Sequence, residues 1–403
     1  MPLTNYAVLQ RDANDTAHFT APDGSTKVLP VGGPHIVDGA ENVLVGDIWI
    51  LAGQSNMEGC GDLIDVETPS PLVHAFEMNE KWDIAEEPLH WPNESSRAVH
   101  HILLGRASVP EVIEPRDPKR DKGAGCGLTF AKARLERTGV PVGLVASAHG
   151  GTSMQQWDPA LRDQGCNSLY GATLERFRAV GGRVAGILWY QGESDTNPAD
   201  AAAYPDRMKK LIAAFRSDFG QPELPFYLVQ LGSFEAGPYP DSVLAWNAIR
   251  EAQRTLISEI PHTGLVTAID LALDDCIHIG TDSLKRLGRR LANVADGFPS
   301  PTVSGITLED DRTTIRVKYE NVRGVLQSAG HPHGFSVHAE NGEQLAAVYK
   351  TVLVGDSVIL KVQELNFPEG ATLYYGYGLR PICNITDSTD AAIPAFGPIT
   401  LPS

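Results

Sequence analysis

Between residues 43 and 298 the chain alternates two hydrophobic patterns. Short continuous apolar runs occupy 43–52, 142–148, 184–190, 226–231 and 265–269, and each closes in glycine or polar residues, as strands buried on both faces do. Helix-length amphipathic segments lie between them. One covers 128–135, and a second covers 169–180 with Leu174, Phe177 and Val180 at helical spacing. Tyr204, Met208, Leu211, Ile212 and Phe215 share one face of a third, and 245–257 and 284–294 supply two more. Strands alternating with helices predict an α/β class, a doubly wound five-stranded parallel sheet flanked by helices.

Two regions break the rhythm. Residues 60–122 form a long insertion rich in Pro, Glu and Asp, with Trp82, Trp91 and the pair His100-His101. Loops of that length in a compact domain usually act as lids or binding walls. Residues 1–42 and 299–403 instead look strand-rich. Thr313–Tyr319 and 357–362 alternate apolar and polar positions, with Gly and Pro turns between such pieces. The expected organisation is a catalytic domain at 43–298 and a β-rich accessory region made of 1–42 and 299–403. The two accessory segments are compatible with a single β-sandwich, and Pro299-Ser300-Pro301 is the expected hinge.

Composition narrows the classes. With 42% hydrophobic and 21% charged residues in 403, the chain can bury a sizeable core. A net charge of −17 argues against a nucleic-acid partner and against an anionic membrane surface. No apolar stretch approaches the roughly 20 residues of a membrane span. The opening Met1-Pro2-Leu3-Thr4-Asn5 lacks the basic-then-apolar pattern of a signal peptide. The five scattered cysteines contain no CxxC pair, so neither a zinc site nor a redox motif is suggested. Sequons begin at Asn14, Asn93 and Asn384.

Four polar motifs sit at the ends of these apolar runs. Gly53-Gln54-Ser55-Asn56-Met57 follows the first, and a hydroxyl there is a candidate nucleophile. Alone, Gly-x-Ser reads better as a turn serine that caps a helix. His149-Gly150-Gly151-Thr152-Ser153 follows the second run, and paired glycines let backbone N–H groups approach an oxyanion. Gln191, in Trp189-Tyr190-Gln191-Gly192-Glu193-Ser194-Asp195 after the third, offers a neutral amide donor. Asp275-Cys276-Ile277-His278 lies in the last loop, where an aspartate can fix one imidazole nitrogen and leave the other for a serine. Each motif has an ordinary structural reading, as a loop, cap or turn. In a parallel sheet, however, all four share the carboxyl edge and converge on one cleft, which favours an enzyme.

Together these segments, with Trp157 behind Gly150-Gly151-Thr152-Ser153, resemble the SGNH-hydrolase superfamily, and most nearly its sialate O-acetylesterase and acetylxylan esterase (carbohydrate esterase family 6) branch. The resemblance covers about residues 43–298. More loosely, 8–12 and the tail near 374–379 look like the β-rich flanks of bacterial sialate-esterase-like proteins.

The resemblance implies a flavodoxin-like sheet and a carboxylic ester hydrolase that removes O-acetyl groups from a poly- or oligosaccharide through an acyl-enzyme. Sialate O-acetylesterase is the alternative, and a non-catalytic carbohydrate-binding protein on the same fold is the opposing class. It implies Ser55 as nucleophile, His278 as base and acid, and Asp275 as the orienting carboxylate, with Glu193 as the alternative acid. The oxyanion hole would come from Ser55, Gly150 or Gly151, and Gln191, where the wider superfamily usually has asparagine. Gln54, Asn56, His149 and Trp157 are candidate substrate-binding residues, with Trp82 and Trp91 as further sugar-stacking candidates. Arg250 is expected to contact the core or a carboxylate. No metal or cofactor is implied. The expected partner is an acetylated carbohydrate, with no nucleic acid and no membrane. The compartment would be periplasmic or extracellular for a polymer and cytoplasmic otherwise. Oligomeric state is left open.

Overall fold

The computed structural model describes residues 3–21, 24–113, 115–235, 240–309, 313–345, 347–362 and 367–401. Nine strands make the main sheet: β1 (Val8–Gln10), β2 (Gly32–Val37), β3 (Ala40–Gly53), β4 (Val73–Phe76), β5 (Trp82–Ile84), β6 (Val142–Ala146), β7 (Gly186–Tyr190), β8 (Phe226–Gln230) and β9 (Thr263–Thr267). Their order is β9-β8-β7-β3-β6-β4-β5, with β1 and β2 also pairing with β3. The five apolar runs are β3, β6, β7, β8 and β9, and β3 runs parallel to both β6 and β7. The α/β class with a central, mostly parallel sheet is therefore as the hydrophobic pattern predicts.

The helices are α1 (Ser55–Glu58), α2 (Ala98–Leu103), α3 (Gly127–Thr138), α4 (Leu169–Ala179), α5 (Pro198–Asp218), α6 (Pro240–Glu259) and α7 (Thr281–Ala295), and α3 to α7 are those the hydrophobic pattern predicts. Local chemistry sets their ends. Ser168 caps α4 by accepting the Gly171 amide at 3.0 Å, and α3 stops where Gly139 takes a left-handed φ of 70°. Among the described residues, no helix is long and apolar enough to cross a membrane.

The chain divides into two compact units. The first holds residues 1–194, 206–227 and 278–292, and the second holds 195–205, 228–277 and 293–403. In the first unit, Ile48, Ile50, Leu51 and Ala52 of β3 are wholly buried or nearly so, which makes β3 the spine of the core. Truncating Leu51 to alanine there should cost about 2–5 kcal/mol. The insertion is more ordered than its composition suggests. It adds β4 parallel to β6 and β5 antiparallel to β4, and it supplies α2.

Residues 1–42 also belong to the first unit. β1 pairs with β3 in parallel and β2 pairs with it antiparallel, while the hairpin Thr16–Thr20 with Thr26–Pro30 carries Phe19 into a small core with Val37, Ala40 and Val43. Their described strands thus pair with the serine-bearing strand or with each other, a different partnership from the shared C-terminal sandwich. In the second unit, Thr302–Leu308, Thr314–Glu320, Ser357–Val362 and Val348–Val354 form one four-stranded sheet. Gln344–Leu345, Phe335–His338, Thr372–Tyr375 and Phe396–Thr400 form another. Val317, Val358, Leu360, Val337, Leu373 and Phe396 fill one core from both sheets.

Arg250 is 1% exposed and donates to backbone carbonyls, among them Leu231 O at 3.1 Å and Gly376 O at 3.1 Å. Its role is to satisfy loop carbonyls that the fold takes out of water.

Candidate active site

At the carboxyl end of β3 the chain must turn sharply while still paired to β7. Gly53 has φ 131°, and a Cβ there would stand 2.1 Å from Tyr190 O, so only glycine fits. The Gln54 amide donates to Tyr190 O at 2.8 Å, and the chain then enters α1 with Ser55 as its first residue. Ser55 is half-buried.

The end of β6 lies alongside. The His149 amide donates to Gly53 O at 3.1 Å, which delivers Gly150 to the nucleophile turn. A Cβ on Gly150 would sit 3.5 Å from Ser55 Cβ, so the absence of a side chain keeps the approach open. The Gly150 amide donates to Glu58 Oε2 at 2.6 Å. Glu58 thus ties the last residue of α1 to the glycine loop. Gly151 follows with φ 69°.

The end of β7 carries Gln191, fully buried, with Nε2 donating to Thr152 O at 3.1 Å. Gln54 Oε1 accepts the Gly192 and Ser194 amides, both at 3.3 Å. Glu193 Oε1 accepts Asn56 Nδ2 at 2.8 Å. On the other side of that carboxamide, Asn56 Oδ1 accepts the Ile279 amide at 3.0 Å. Asn56 therefore joins the serine turn, the Glu193 loop and the residue that follows His278. Asp275 is exposed and its Oδ1 accepts the Ile277 amide at 2.9 Å, which shapes the turn leading to His278.

Burial raises the Glu58 carboxyl above the usual carboxylate range, and the Gly150 amide, Arg120 and His278 each pull it back. His278 is thus an electrostatic neighbour of the residue that grips Gly150. Burial also pushes Glu87 up to about 8, against the Gly125 and Leu89 amides and Arg120. Behind the glycine loop the imidazoles are held neutral. Burial, aided by Arg176, pushes His149 down to about 4 and His90 down to about 3.

The first unit brings Ser55, Gly150, Gly151, Gln191, Glu193 and His278 to the loops that α1 and Asn56 tie together. Three substrate-binding candidates are placed differently. Trp157 is 0% exposed, donates Nε1 to Thr152 Oγ1 at 3.1 Å and packs edge-on against Trp189, so it offers no ring face to a sugar. Gln54 and Asn56 are each 2% exposed and spend their carboxamides on loop ties. Trp82 is 9% exposed against Phe76, and the Trp91 ring is covered by the guanidiniums of Arg116 and Arg120 at 4.7 and 4.6 Å. Sequence reasoning missed Glu58. Its position three residues after Ser55, on the same helical turn, was the available signal. Among the described residues no group of three His, Cys, Asp or Glu could hold a metal ion.

Comparison with known proteins gives the class. The family model described as carbohydrate esterase, sialic acid-specific acetylesterase, matches residues 45–296. A protein of Arabidopsis thaliana named as a probable carbohydrate esterase is 32% identical over 253 residues, covering 61% of this chain and 88% of that protein. Human sialate O-acetylesterase is 23% identical over 273 residues, covering 57% of this chain and 48% of that enzyme. The chain thus spans about half the length of the sialate O-acetylesterases that it matches. The crystal structure of a carbohydrate acetylesterase from Xanthomonas citri superposes with TM-score 0.71 at 23% identity, covering 98% of this chain and 97% of that one, which shows the shared fold. Fold and family model place the protein among the SGNH-type carbohydrate esterases. The chain belongs to the carbohydrate esterase, sialic acid-specific acetylesterase family, and it is a carboxylic ester hydrolase of O-acetylated carbohydrates.

Proposed function

We propose that Ser55 is the nucleophile of this esterase, His278 its general base and acid, and Asp275 the carboxylate that orients His278. The observation that carries the reading is the pair of bonds made by Asn56, which holds the residue after His278 against the residue after Ser55. The Ser55 hydroxyl attacks the acetyl carbonyl while His278 takes its proton. The tetrahedral intermediate collapses, and His278 returns the proton to the departing sugar oxygen. Water, deprotonated by His278, then attacks the acetyl-enzyme and releases acetate.

The oxyanion donors are the Ser55 amide, an amide of Gly150 or Gly151, and Gln191 Nε2. Ser55 opens α1, where backbone amides lack intrahelical acceptors. Gln191 gives an Nε2 hydrogen to Thr152 O, which fixes its carboxamide at the end of β7. Because Glu58 holds the Gly150 amide, Gly151 is the readier donor of the pair. Asp275 is favoured over Glu193 because it sits three residues from His278, whereas Glu193 is engaged by Asn56.

The substrate proposed is a neutral acetylated poly- or oligosaccharide. A net charge of −17 and the Glu58 carboxyl beside the nucleophile both disfavour an anionic sugar. An O-acetylated sialic acid is the second reading. Arg120 favours it: this guanidinium acts on both Glu58 and Glu87, yet among the described residues it has no carboxylate within ion-pair distance. Acetate release from acetylated xylan, mannan and pectin and from O-acetylated sialic acid, with Ser55→Ala as control, separates the two. Faster release from sialic acid than from every polymer would reverse the choice.

A further inference from the structure

The paired histidines of α2 play no part in the mechanism above, yet one of them reaches the glycine loop. His100 is 1% exposed, and its Nδ1 lies 3.0 Å from His149 Nδ1. Its Nε2 lies 3.0 Å from Nη1 of Arg176, which is itself fully buried. Arg176 is anchored further by Ser95 Oγ at 3.0 Å and Met78 O at 3.4 Å, with Glu80 Oε1 at 3.9 Å from its Nε.

The order of protons along this chain follows from one fact. A guanidinium carries only N–H donors. His100 Nε2 must therefore accept, so a neutral His100 carries its hydrogen on Nδ1. That hydrogen points at His149 Nδ1, which must accept in turn. A neutral His149 then carries its hydrogen on Nε2. An imidazolium at His149 would set two N–H groups against each other. The charged and titratable neighbours agree with that order. Arg176, His149, His90 and His101 all disfavour a charge on His100, Arg176 disfavours one on His149, and Glu80 and Arg97 act on Arg176. Among the described residues no carboxylate hydrogen-bonds to either imidazole.

His149 directly precedes Gly150 and keeps 5% of its surface exposed. Among the described residues its Nε2 has no protein acceptor. We infer that His149 is a substrate-contacting residue that offers its Nε2–H to an uncharged oxygen of the acetylated sugar, and that His100 and Arg176 are positioning residues that fix this tautomer. The inference rests on the reading that Ser55 and its glycine loop are the reaction centre. It adds a specificity element, because a ring fixed in this way donates from Nε2 and cannot accept from a substrate N–H.

Nitrogen-15 NMR of the histidine-labelled full chain reads the tautomers directly. The expected result is His149 protonated on Nε2 and His100 on Nδ1, unchanged between about pH 5 and 8. A proton on His149 Nδ1, or titration near the ordinary value of about 6.5, overturns the inference. His149→Phe should raise KM for an acetylated oligosaccharide about tenfold, the size expected for one lost hydrogen bond. An unmoved KM overturns the substrate contact. In His100→Phe, His149 should sample both tautomers, and a tautomer fixed as before removes His100 from its role. Failure of the Ser55 reading would show separately, as esterase activity that survives Ser55→Ala.

Discussion

The Ile279 amide donates to Asn56 Oδ1 at 3.0 Å, joining residues 223 positions apart. Each of the two follows a residue proposed to react, Ser55 on one side and His278 on the other. The second arm of the same carboxamide holds Glu193 at 2.8 Å. Asn56→Ala removes both bonds from a buried site. It should lower kcat about 100-fold, as a misplacement near 1 Å does, with a smaller change in KM. Urea unfolding should show a loss of about 2 kcal/mol for two buried hydrogen bonds. Wild-type kcat in this variant would mean that the tie does not position the reacting groups.

Gln191 is wholly buried at the end of β7 with its carboxamide already fixed by Thr152 O. That preorganisation suits a donor to developing charge. Gln191→Ala should lower kcat about 100- to 1000-fold, the usual cost of one oxyanion donor, while the far-ultraviolet circular dichroism stays the same. Turnover within a few-fold of wild type would remove Gln191 from the oxyanion hole.

The orienting carboxylate is tested by comparing Asp275→Asn with Glu193→Gln. Asp275→Asn should reduce kcat/KM by about 10⁴-fold, because a neutral amide no longer stabilises the imidazolium or its tautomer. Glu193→Gln leaves an oxygen to accept from Asn56 and should stay within about tenfold. The opposite ranking would give the orienting role to Glu193.

Buried titratable groups give the fold a pH signature. Burial lowers His90 from 6.5 to about 3 and His149 from 6.5 to about 4, and it raises Glu87 from 4.5 to about 8. For the histidines, the unfolded chain binds more protons between those values, so their stabilisation is present above 6.5 and is lost as pH falls. For Glu87 the folded chain keeps the extra proton. Its contribution is full below 4.5 and is lost as pH rises through about 8. The two histidines outnumber Glu87 on the acid side, whereas above neutrality Glu87 acts in the opposite direction, together with Glu58, whose carboxyl burial also raises. Stability should peak near neutrality, and Glu87→Gln should lessen the decline above the peak by about 1.4 kcal/mol per pH unit. Urea titrations across that range check this; an identical slope in Glu87→Gln would contradict it.

Much of this arrangement is legible in the sequence because buried parallel strands leave a strong local mark. The runs that became β3, β6, β7, β8 and β9 are continuous and end in polar motifs, so both the sheet and its functional edge follow from them. β4 and β5 leave no such mark. Four residues, Val73–Phe76, and three, Trp82–Ile84, are too short to show a period inside a Pro- and Glu-rich segment. The pairing of β1 and β2 with β3 is equally hidden, since an extended segment carries no signal of which sheet it joins. At the site, the residues on strand ends were visible, whereas Glu58, His100 and Arg176 matter through partners distant in sequence. Trp157 shows the converse: its place beside the motif suggested a sugar platform, but Trp189 and Thr152 enclose it.

The central claim is that Ser55 forms the acyl-enzyme. The most direct measurement is to treat the full chain with a fluorophosphonate and to locate the adduct by peptide mass spectrometry, alongside acetate release by Ser55→Ala. The expected result is a single adduct on Ser55, no labelling of the alanine variant, and loss of acetate release by about 10⁴-fold or more. An adduct on a different residue, or acetate release by the alanine variant at the wild-type rate, would contradict the account.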